Sequence, residues 1–461
     1  MADETARTGE IALAVREAGG RALVVGGWVR DRIMGRDSKD VDMEVYGLPA
    51  ERVRTILETF GRVDAVGESF QVYKSGSVDV SLPRRESKKG RGHRGFEVSG
   101  DPTMSVEEAA RRRDFTVNAV SWDPLTDEYL DPFDGRGDIN RRRLRAVDAR
   151  TFGDDSLRVL RAVQFAARLG FELDDDTKAL CRGIALDDLP AERIWGEFEK
   201  LLLAPTPSIG FALAMELGVV PALFPELLAL AGCPQEAEWH PEGDVWVHTL
   251  QVIDRARERI DDLDRPRQIA IMLGAVCHDF GKPGTTAFID GRIRSRDHEE
   301  QGVPPTLVFL DRLKVNSIDG YDVRRQIVGL VAQHLKPGSW HKVRDQVGDG
   351  AFRRLAHKVD LELLARVAKA DCTGREPGHF DCSAMDWFLD RARALGVEHR
   401  PPAPLLLGRH LLELGVAPGP RVGEVLKAVY EQQMDGLVTT LDAAIEAAKR
   451  LLQAAAGEGD R

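Results

Sequence analysis

Basic residues are not in excess. Lys plus Arg number 64 against 75 Asp plus Glu, a formal net charge of −11. That excludes a uniformly basic nucleic-acid coat, though not a local basic cleft. Cysteine is scarce: Cys181, Cys233, Cys277, Cys372 and Cys382 are the only five, and no two form a CxxC pair. Scattered thiols in odd number read as reduced, buried side chains of a cytoplasmic protein. A long apolar run is also missing. The most apolar stretch, 201–231, contains Glu216, Glu226 and four prolines, and so reads as packed helices and turns rather than a membrane span. The first ten residues, MADETARTGE, lack the apolar core of a secretion signal. No clean internal repeat is present.

What remains is an ordinary globular composition, 43% apolar and 30% charged. A chain of 461 residues predicts two to four domains. The first 145 residues mix strand and helix patterns. Short β-type runs fall at 22–25, 41–46 and 78–82, while the basic, Gly-rich stretch 84–95 (RRESKKGRGHRG) reads as a mobile loop. From about residue 150 the periodicity is helical, including single helices expected at 157–169, 191–203 and 351–371. The expected class is therefore α+β, a small mixed head followed by an all-α remainder. Breaks are expected near 145, near 235 and in the Pro-rich segment at 400–404.

The segment 24–45, VVGGWVRDRIMGRDSKDVDMEV, carries the first chemistry. Gly26 and Gly27 let backbone N–H groups approach a phosphate, and Arg30 follows one helical turn later. Asp40 and Asp42, two apart on an apparent strand, place two carboxylates on one face. That arrangement suits Mg²⁺, a hard cation that shares oxygen ligands with phosphates. Asp79, on another expected strand, is the candidate third carboxylate. The second chemistry lies in the helical part: His248, adjacent His278 and Asp279, then His298, His334 and Asp371. Such spaced imidazoles and carboxylates can converge on a divalent metal that activates water against a phosphate ester. His240, His341, His357 and His379 lack comparable context and read as solvent or packing residues.

The first segment, followed by RRRDFTVNAV (111–120), DPFDGRGDINRRRLR (131–145), DDSLR (154–158) and PAERIWGEFEKLL (190–202), resembles the bacterial class II tRNA nucleotidyltransferases. These are the CCA-adding enzymes and their poly(A) polymerase relatives. The resemblance implies a nucleotidyltransferase head at 1–145 and a helical neck at 146–235. It implies catalytic, metal-binding Asp40 and Asp42, triphosphate contacts from Gly27 and Arg30, and nucleotide contacts from Arg113 and Arg161. Asp154, Asp155 and Arg158 correspond to the motif that reads the Watson–Crick edge of the incoming base. Two departures stand out: Asp154 where Glu is usual, and Gln164 where many members have Arg.

The second constellation resembles the HD phosphohydrolases, and with them the C-terminal half of the multifunctional CCA-adding enzymes. It implies an HD domain at 236–400, with phosphatase or 2′,3′-cyclic phosphodiesterase activity, and a tRNA-binding tail at 401–461. Expected partners are CTP, ATP and the tRNA acceptor stem and 3′ end, with no membrane. Mg²⁺ is expected at the head and a divalent metal of open identity at the HD site. RNA contact is expected from three basic clusters, 84–94, 111–113 and 141–145. Three alternatives stay open: an A-adding-only enzyme, a poly(A) polymerase, or an HD phosphohydrolase whose head only binds nucleotide. The oligomeric state is open.

Overall fold

The computed structural model describes residues 2–38, 40–66, 72–88, 96–375 and 381–458. The chain forms two compact units, 1–225 and 226–461.

Among the described residues the first unit has eleven strands: β1 (Arg21–Val25), β2 (Val41–Tyr46), β3 (Asp64–Val66), β4 (Val72–Ser75), β5 (Val78–Ser81), β6 (Arg84–Lys88), β7 (Phe96–Gly100), β8 (Ser121–Asp123), β9 (Glu128–Leu130), and the short pair β10 (Arg143–Leu144) and β11 (Glu172–Leu173). Seven of them form one mixed sheet in the order β3-β4-β5-β2-β1-β8-β9. β1 is central and almost continuously apolar because both of its faces are covered. Ala22 and Val24 pack with Ile11, Val15, Val53 and Leu57. Leu23 and Val25 pack with Met104 and Ala109 on the other face. β2 runs antiparallel to β1 and parallel to β5, which sets Asp42 beside Val25 on one side and beside Asp79 on the other.

Residues 84–88 depart from the expected loop. Residues 84–88 and 96–100 pair as an antiparallel hairpin, β6–β7. Backbone pairing across two strands needs no apolar period, so the sequence pattern was silent. Residues 89–95, and His379, lie outside the described residues.

The helix Leu157–Leu169 follows a 3₁₀ turn at Phe152–Asp154 and ends on Gly170 with φ +68°, as a left-handed cap. Gly210 of the helix Pro207–Glu216 packs against it. A Cβ there would meet the carbonyl oxygen of Val163 at 2.9 Å.

In the second unit, four helices begin on an aspartate: Val245–Arg257 on Asp244, Arg265–Cys277 on Asp264, Val323–Gln333 on Asp322 and Leu361–Thr373 on Asp360. Each carboxylate accepts a first-turn N–H at 2.9–3.0 Å, a cap worth about 1 kcal/mol. The Asp360 cap corrects the expectation of one helix over 351–371. The chain breaks there into Asp349–Leu355 and Leu361–Thr373, because a side chain that satisfies the N–H groups of Glu362 and Leu363 starts a new helix.

The cysteines also require a correction. Cys372 and Cys382 form a disulfide, while Cys181, Cys233 and Cys277 are free and buried. Cys372 lies in the helix Leu361–Thr373 and Cys382 just before the helix Ser383–Ala394, and the packing of these two helices brings the pair together. The tail packs around Leu411, Val425, Val429 and Ala447, with Pro420 opening the helix Pro420–Met434. Among the described residues no helix is long and apolar enough to cross a membrane.

Candidate functional site

Two clusters, one in each unit, hold the candidate residues. In the first unit a cavity of about 1380 Å³ is lined by Gly26, Gly27, Arg30, Asp42, Asp79, Arg113, Asp155, Arg158 and Arg161, among others. It exceeds the roughly 300–1,000 Å³ of a usual small-molecule pocket, which leaves room for a nucleotide and the end of a primer. The chain reverses at Gly26, whose φ of +74° disfavours any side chain, and the Arg113 guanidinium lies 3.2 Å from where a Cβ would be.

Asp40 lies just before β2 rather than on it, and is exposed. Across the sheet Asp42 stands in register with Asp79, whose charge acts on it more strongly than that of Asp40. Asp42 is exposed, but desolvation of its carboxyl on the cleft side raises its pKa. Arg113 opposes the rise, and the negative charges of Asp79, Asp40 and Glu44 add to it. Like-charged carboxylates crowded in this way fit a divalent cation. Asp79 also carries a Lys74 contact at 3.1 Å.

The guanidiniums are aimed by partners that sequence reasoning did not assign. Arg30 donates to the Asn118 Oδ1 at 2.6 Å and pairs with Asp31. Arg113 donates to Glu44 at 3.0 Å, and Arg161 to Asp114 at 2.7 Å. Asp114 and Asn118 belong to the quoted RRRDFTVNAV motif, so the signal was present but its roles were not legible.

Asp155 precedes the helix start, and its carbonyl accepts the Arg158 backbone N–H at 3.0 Å, but among the described residues no hydrogen bond or ion pair joins the two side chains. Arg193 grips both Asp155 oxygens, at 3.0 and 2.9 Å. Burial opposes charge on Asp155, but this grip holds its carboxyl below the usual range. Arg158 donates instead to the carbonyls of Thr151 and Arg112, at 3.0 and 2.6 Å. Gln164 is buried, and its amide oxygen lies 3.4 Å from Arg168. In the basic cluster at 141–145, Arg141, Arg143 and Arg145 are bound to Asp134, Asp138 and Asp174. These three arginines are ion-paired within the fold and remain partly exposed.

In the second unit all six candidate ligands converge. His248 lies within the first of the capped helices, while His278 and His334 are the residues that close the second and third. Asp371 is near the end of the fourth. The Nδ1 atoms of His278, His298 and His334 contact the carbonyl oxygens of Ala275, Ser295 and Val331, each at 2.8 Å. A carbonyl only accepts, so these Nδ1 atoms carry the protons and the three Nε2 lone pairs face inward. His248 achieves the same orientation through Glu242, at 2.7 Å from its Nδ1.

Two triads result, His248–His278–Asp371 and Asp279–His298–His334. Asp279 links them, at 3.2 Å from the His278 Nε2 and 3.4 Å from the His298 Nε2. The Nε2 atoms of His298 and His334 stand only 3.3 Å apart, and the His278 Nε2 is buried without a hydrogen-bond partner. Converging imidazole nitrogens and carboxylates of this kind fit a metal. Burial and the neighbouring imidazoles His298 and His278 push the His334 pKa down to about 3. Burial disfavours charge on Asp279, yet His278 and Lys282 more than offset it and hold the carboxyl well below its usual range.

Gly281 explains why glycine follows the His-Asp pair: a Cβ there would collide with the carbonyl oxygen of His298. His240, expected as a solvent or packing residue, instead shares the Glu242 oxygen with His248, at 2.9 Å. Sequence proximity of 240, 242 and 248 was the only available signal for Glu242.

Residues 22–145 match the family model described as "Poly A polymerase head domain", and residues 170–230 match "Probable RNA and SrmB- binding site of polymerase A". Among solved structures, that of the Bacillus stearothermophilus CCA-adding enzyme in complex with CTP aligns with TM-score 0.63 and 23% identity, covering 96% of this chain and 97% of that one. The Thermotoga maritima CCA-adding enzyme complexed with tRNA aligns with TM-score 0.57 and 18% identity, covering 98% and 95%. At such identities the likeness establishes the fold. The Multifunctional CCA protein of Stenotrophomonas maltophilia (strain K279a) is 36% identical over 375 residues, covering 77% of this chain and 86% of the relative. That of Xanthomonas campestris pv. campestris (strain B100) is 35% identical over 428 residues, covering 88% and 96%. With that identity sustained over nearly the full length of such relatives, the chain belongs to the multifunctional CCA protein family.

Proposed function

We propose that the first unit adds C, C and A to the 3′ end of tRNA from CTP and ATP without a nucleic-acid template. The observation that carries this reading is the cross-strand pair Asp42–Asp79 on the floor of a guanidinium-lined cavity. Asp42 and Asp79, with Asp40 at the strand's entry, are the residues to hold Mg²⁺, which when bound lowers the pKa of the primer hydroxyl and stabilises the departing pyrophosphate. Arg30, Arg113 and Arg161 each use only part of their five N–H donors on the fold, so the others remain for the triphosphate. Gly26 and Gly27 keep that approach open.

The fixed Asp155 carboxylate accepts from the exocyclic amino group that both cytosine and adenine carry. The fixed Arg158 guanidinium donates to a ring nitrogen or carbonyl. Uracil and guanine present the opposite pattern at the matching edge. Arg193→Ala releases the grip on Asp155, a loss of about 1.5–3 kcal/mol of charge-assisted hydrogen bonding. KM for CTP and ATP should rise about tenfold or more, with increased UTP misincorporation. Steady-state kinetics with the three nucleotides checks this, and unchanged selectivity would remove Asp155 from base reading.

The second unit is read as a metal-dependent phosphohydrolase acting on 3′-phosphate or 2′,3′-cyclic phosphate ends. His248, His278, Asp279, His298, His334 and Asp371 are its metal ligands, and the two triads suit two ions. Glu242 positions His248. Its replacement by Ala should lower metal affinity about 10–100-fold, read by titrating metal-free protein with Mn²⁺ or Zn²⁺, while Glu242→Gln keeps an acceptor and recovers part of the affinity. Equal affinity in all three proteins would exclude His248 as a ligand.

The test of the whole reading uses Mg²⁺, CTP, ATP and three labelled tRNAs that end before CCA, after C and after CC. Completion of all three to CCA and no further supports it. One A on the CC-ended tRNA alone means an A-adding enzyme, and a long A ladder means a poly(A) polymerase.

A further inference from the structure

Among the described residues only two aromatic side chains are exposed, Trp239 at 49% and Phe288 at 76%. They lie on two neighbouring segments that both run into the metal cluster of the second unit. Trp239 is in the segment 235–242, which ends at Glu242 against His248. Phe288 is in the antiparallel hairpin Thr286–Ile289/Arg292–Ser295, which starts four residues after Lys282, the lysine 2.8 Å from Asp279, and ends three residues before His298.

The two segments are fastened to one another. Glu236 accepts the Ile293 N–H at 2.9 Å, Glu238 pairs with Arg292 at 2.8 Å, and Gln235 accepts from Lys282 at 2.7 Å. Register places Phe288 opposite Ile293, on the hairpin face that carries Thr286 and Ser295. The Thr286 hydroxyl contacts the Cys233 Sγ at 3.6 Å, so that face turns toward the chain leading to Trp239. The hairpin thus leaves its largest apolar side chain outside the core, on a ribbon whose two ends lead to Lys282 and His298 of the metal cluster.

We propose that this rim is the nucleoside-binding part of the phosphohydrolase site: the base of the terminal RNA nucleoside stacks on Trp239 and Phe288 while its phosphate enters the metal cluster. This rests on the phosphohydrolase reading above. Aromatic rings accept any base face, because every base presents a π-surface. Single-stranded RNA ends are the form in which bases are free to stack. A repair activity that meets ends of different sequence needs such base-tolerant grip.

The test compares 3′-AMP with 2-glycerophosphate, a phosphomonoester with no base, in the full-length chain supplied with Mn²⁺, Co²⁺ or Ni²⁺. Trp239→Leu and Phe288→Leu keep apolar bulk but lose the π-face, and both positions are exposed, so folding is spared. Each should raise KM for 3′-AMP about tenfold, from the usual worth of one stacked base, with kcat within about twofold and 2-glycerophosphate kinetics unchanged. In EDTA, 3′-AMP should quench tryptophan fluorescence in the wild type, with that component lost in Trp239→Leu. Hydrolysis of both esters without a base-dependent change in the variants overturns the proposal. If neither ester is hydrolysed with any metal, the phosphohydrolase reading fails by itself. The quenching then decides the rim: its loss in Trp239→Leu keeps a nucleoside site, and quenching that is absent, or equal in the variant, overturns it.

Discussion

Asp42→Asn should abolish nucleotide incorporation, by at least about 10³-fold with saturating CTP and Mg²⁺, since the ligand removed stabilises charge that develops only as pyrophosphate leaves. The same variant should melt no lower than the wild type in EDTA. The sign follows from the Asp42 environment. Desolvation and the neighbouring carboxylates raise its pKa despite Arg113, so at neutral pH the charged form is less favourable in the fold than in the unfolded chain. A raised acid of this kind favours folding at low pH and opposes it as pH rises through the normal carboxylate range and above. A neutral isostere removes that opposition. Mg²⁺ should then raise the melting temperature of the wild type but not of the variant. Incorporation within tenfold of wild type would take Asp42 out of the metal site, and a lower melting point in EDTA would assign it a structural role.

Asp279→Asn should have the complementary effect. Asp279 is the one carboxylate that touches both triads, and it also pairs with Lys282 at 2.8 Å. Phosphohydrolase activity should fall at least about 10³-fold and bound metal should fall with it, while addition of CCA in the other unit continues. Breaking a buried pair costs about 3–5 kcal/mol when the partner charge stays behind, and here that partner is Lys282. Part of the loss could therefore reflect unfolding. His334→Gln separates the two effects. Its imidazole is already held neutral, its pKa pushed down to about 3, so no buried charge is stranded. Metal and phosphohydrolase activity should still be lost, at a melting temperature close to wild type. Retention of both metal and activity in His334→Gln and Asp279→Asn would exclude this cluster as the hydrolytic centre.

Much of this was legible along the chain because the chemistry is written in short segments. Strand β2 spans Val41–Tyr46, within the segment that already suggested paired carboxylates beside a Gly-Gly turn. The His-Asp pair is contiguous in the sequence. Local rules suffice for such features, since caps, turns and strand alternation depend on neighbours within a few residues.

Other features depend on groups far apart in sequence that fold into contact. Asp155 was read with Arg158, three residues on, but is held by Arg193, thirty-eight residues away. Asp42 was read with Asp40, but the sheet sets it beside Asp79. The basic run at 141–145 gave no sign in sequence of its ion pairs with Asp134, Asp138 and Asp174.

By itself, then, the sequence determined the kinds of chemistry present, the residue types that carry each, and the α+β head followed by helices. Only the tertiary structure decided which carboxylate pairs with which, that Glu242 aims His248, that six ligands form two linked triads, and that Cys372 joins Cys382. The reason is geometric. A hydrogen bond or a metal site is satisfied within about 3 Å in space, and chain separation carries no record of that distance once helices and strands have packed.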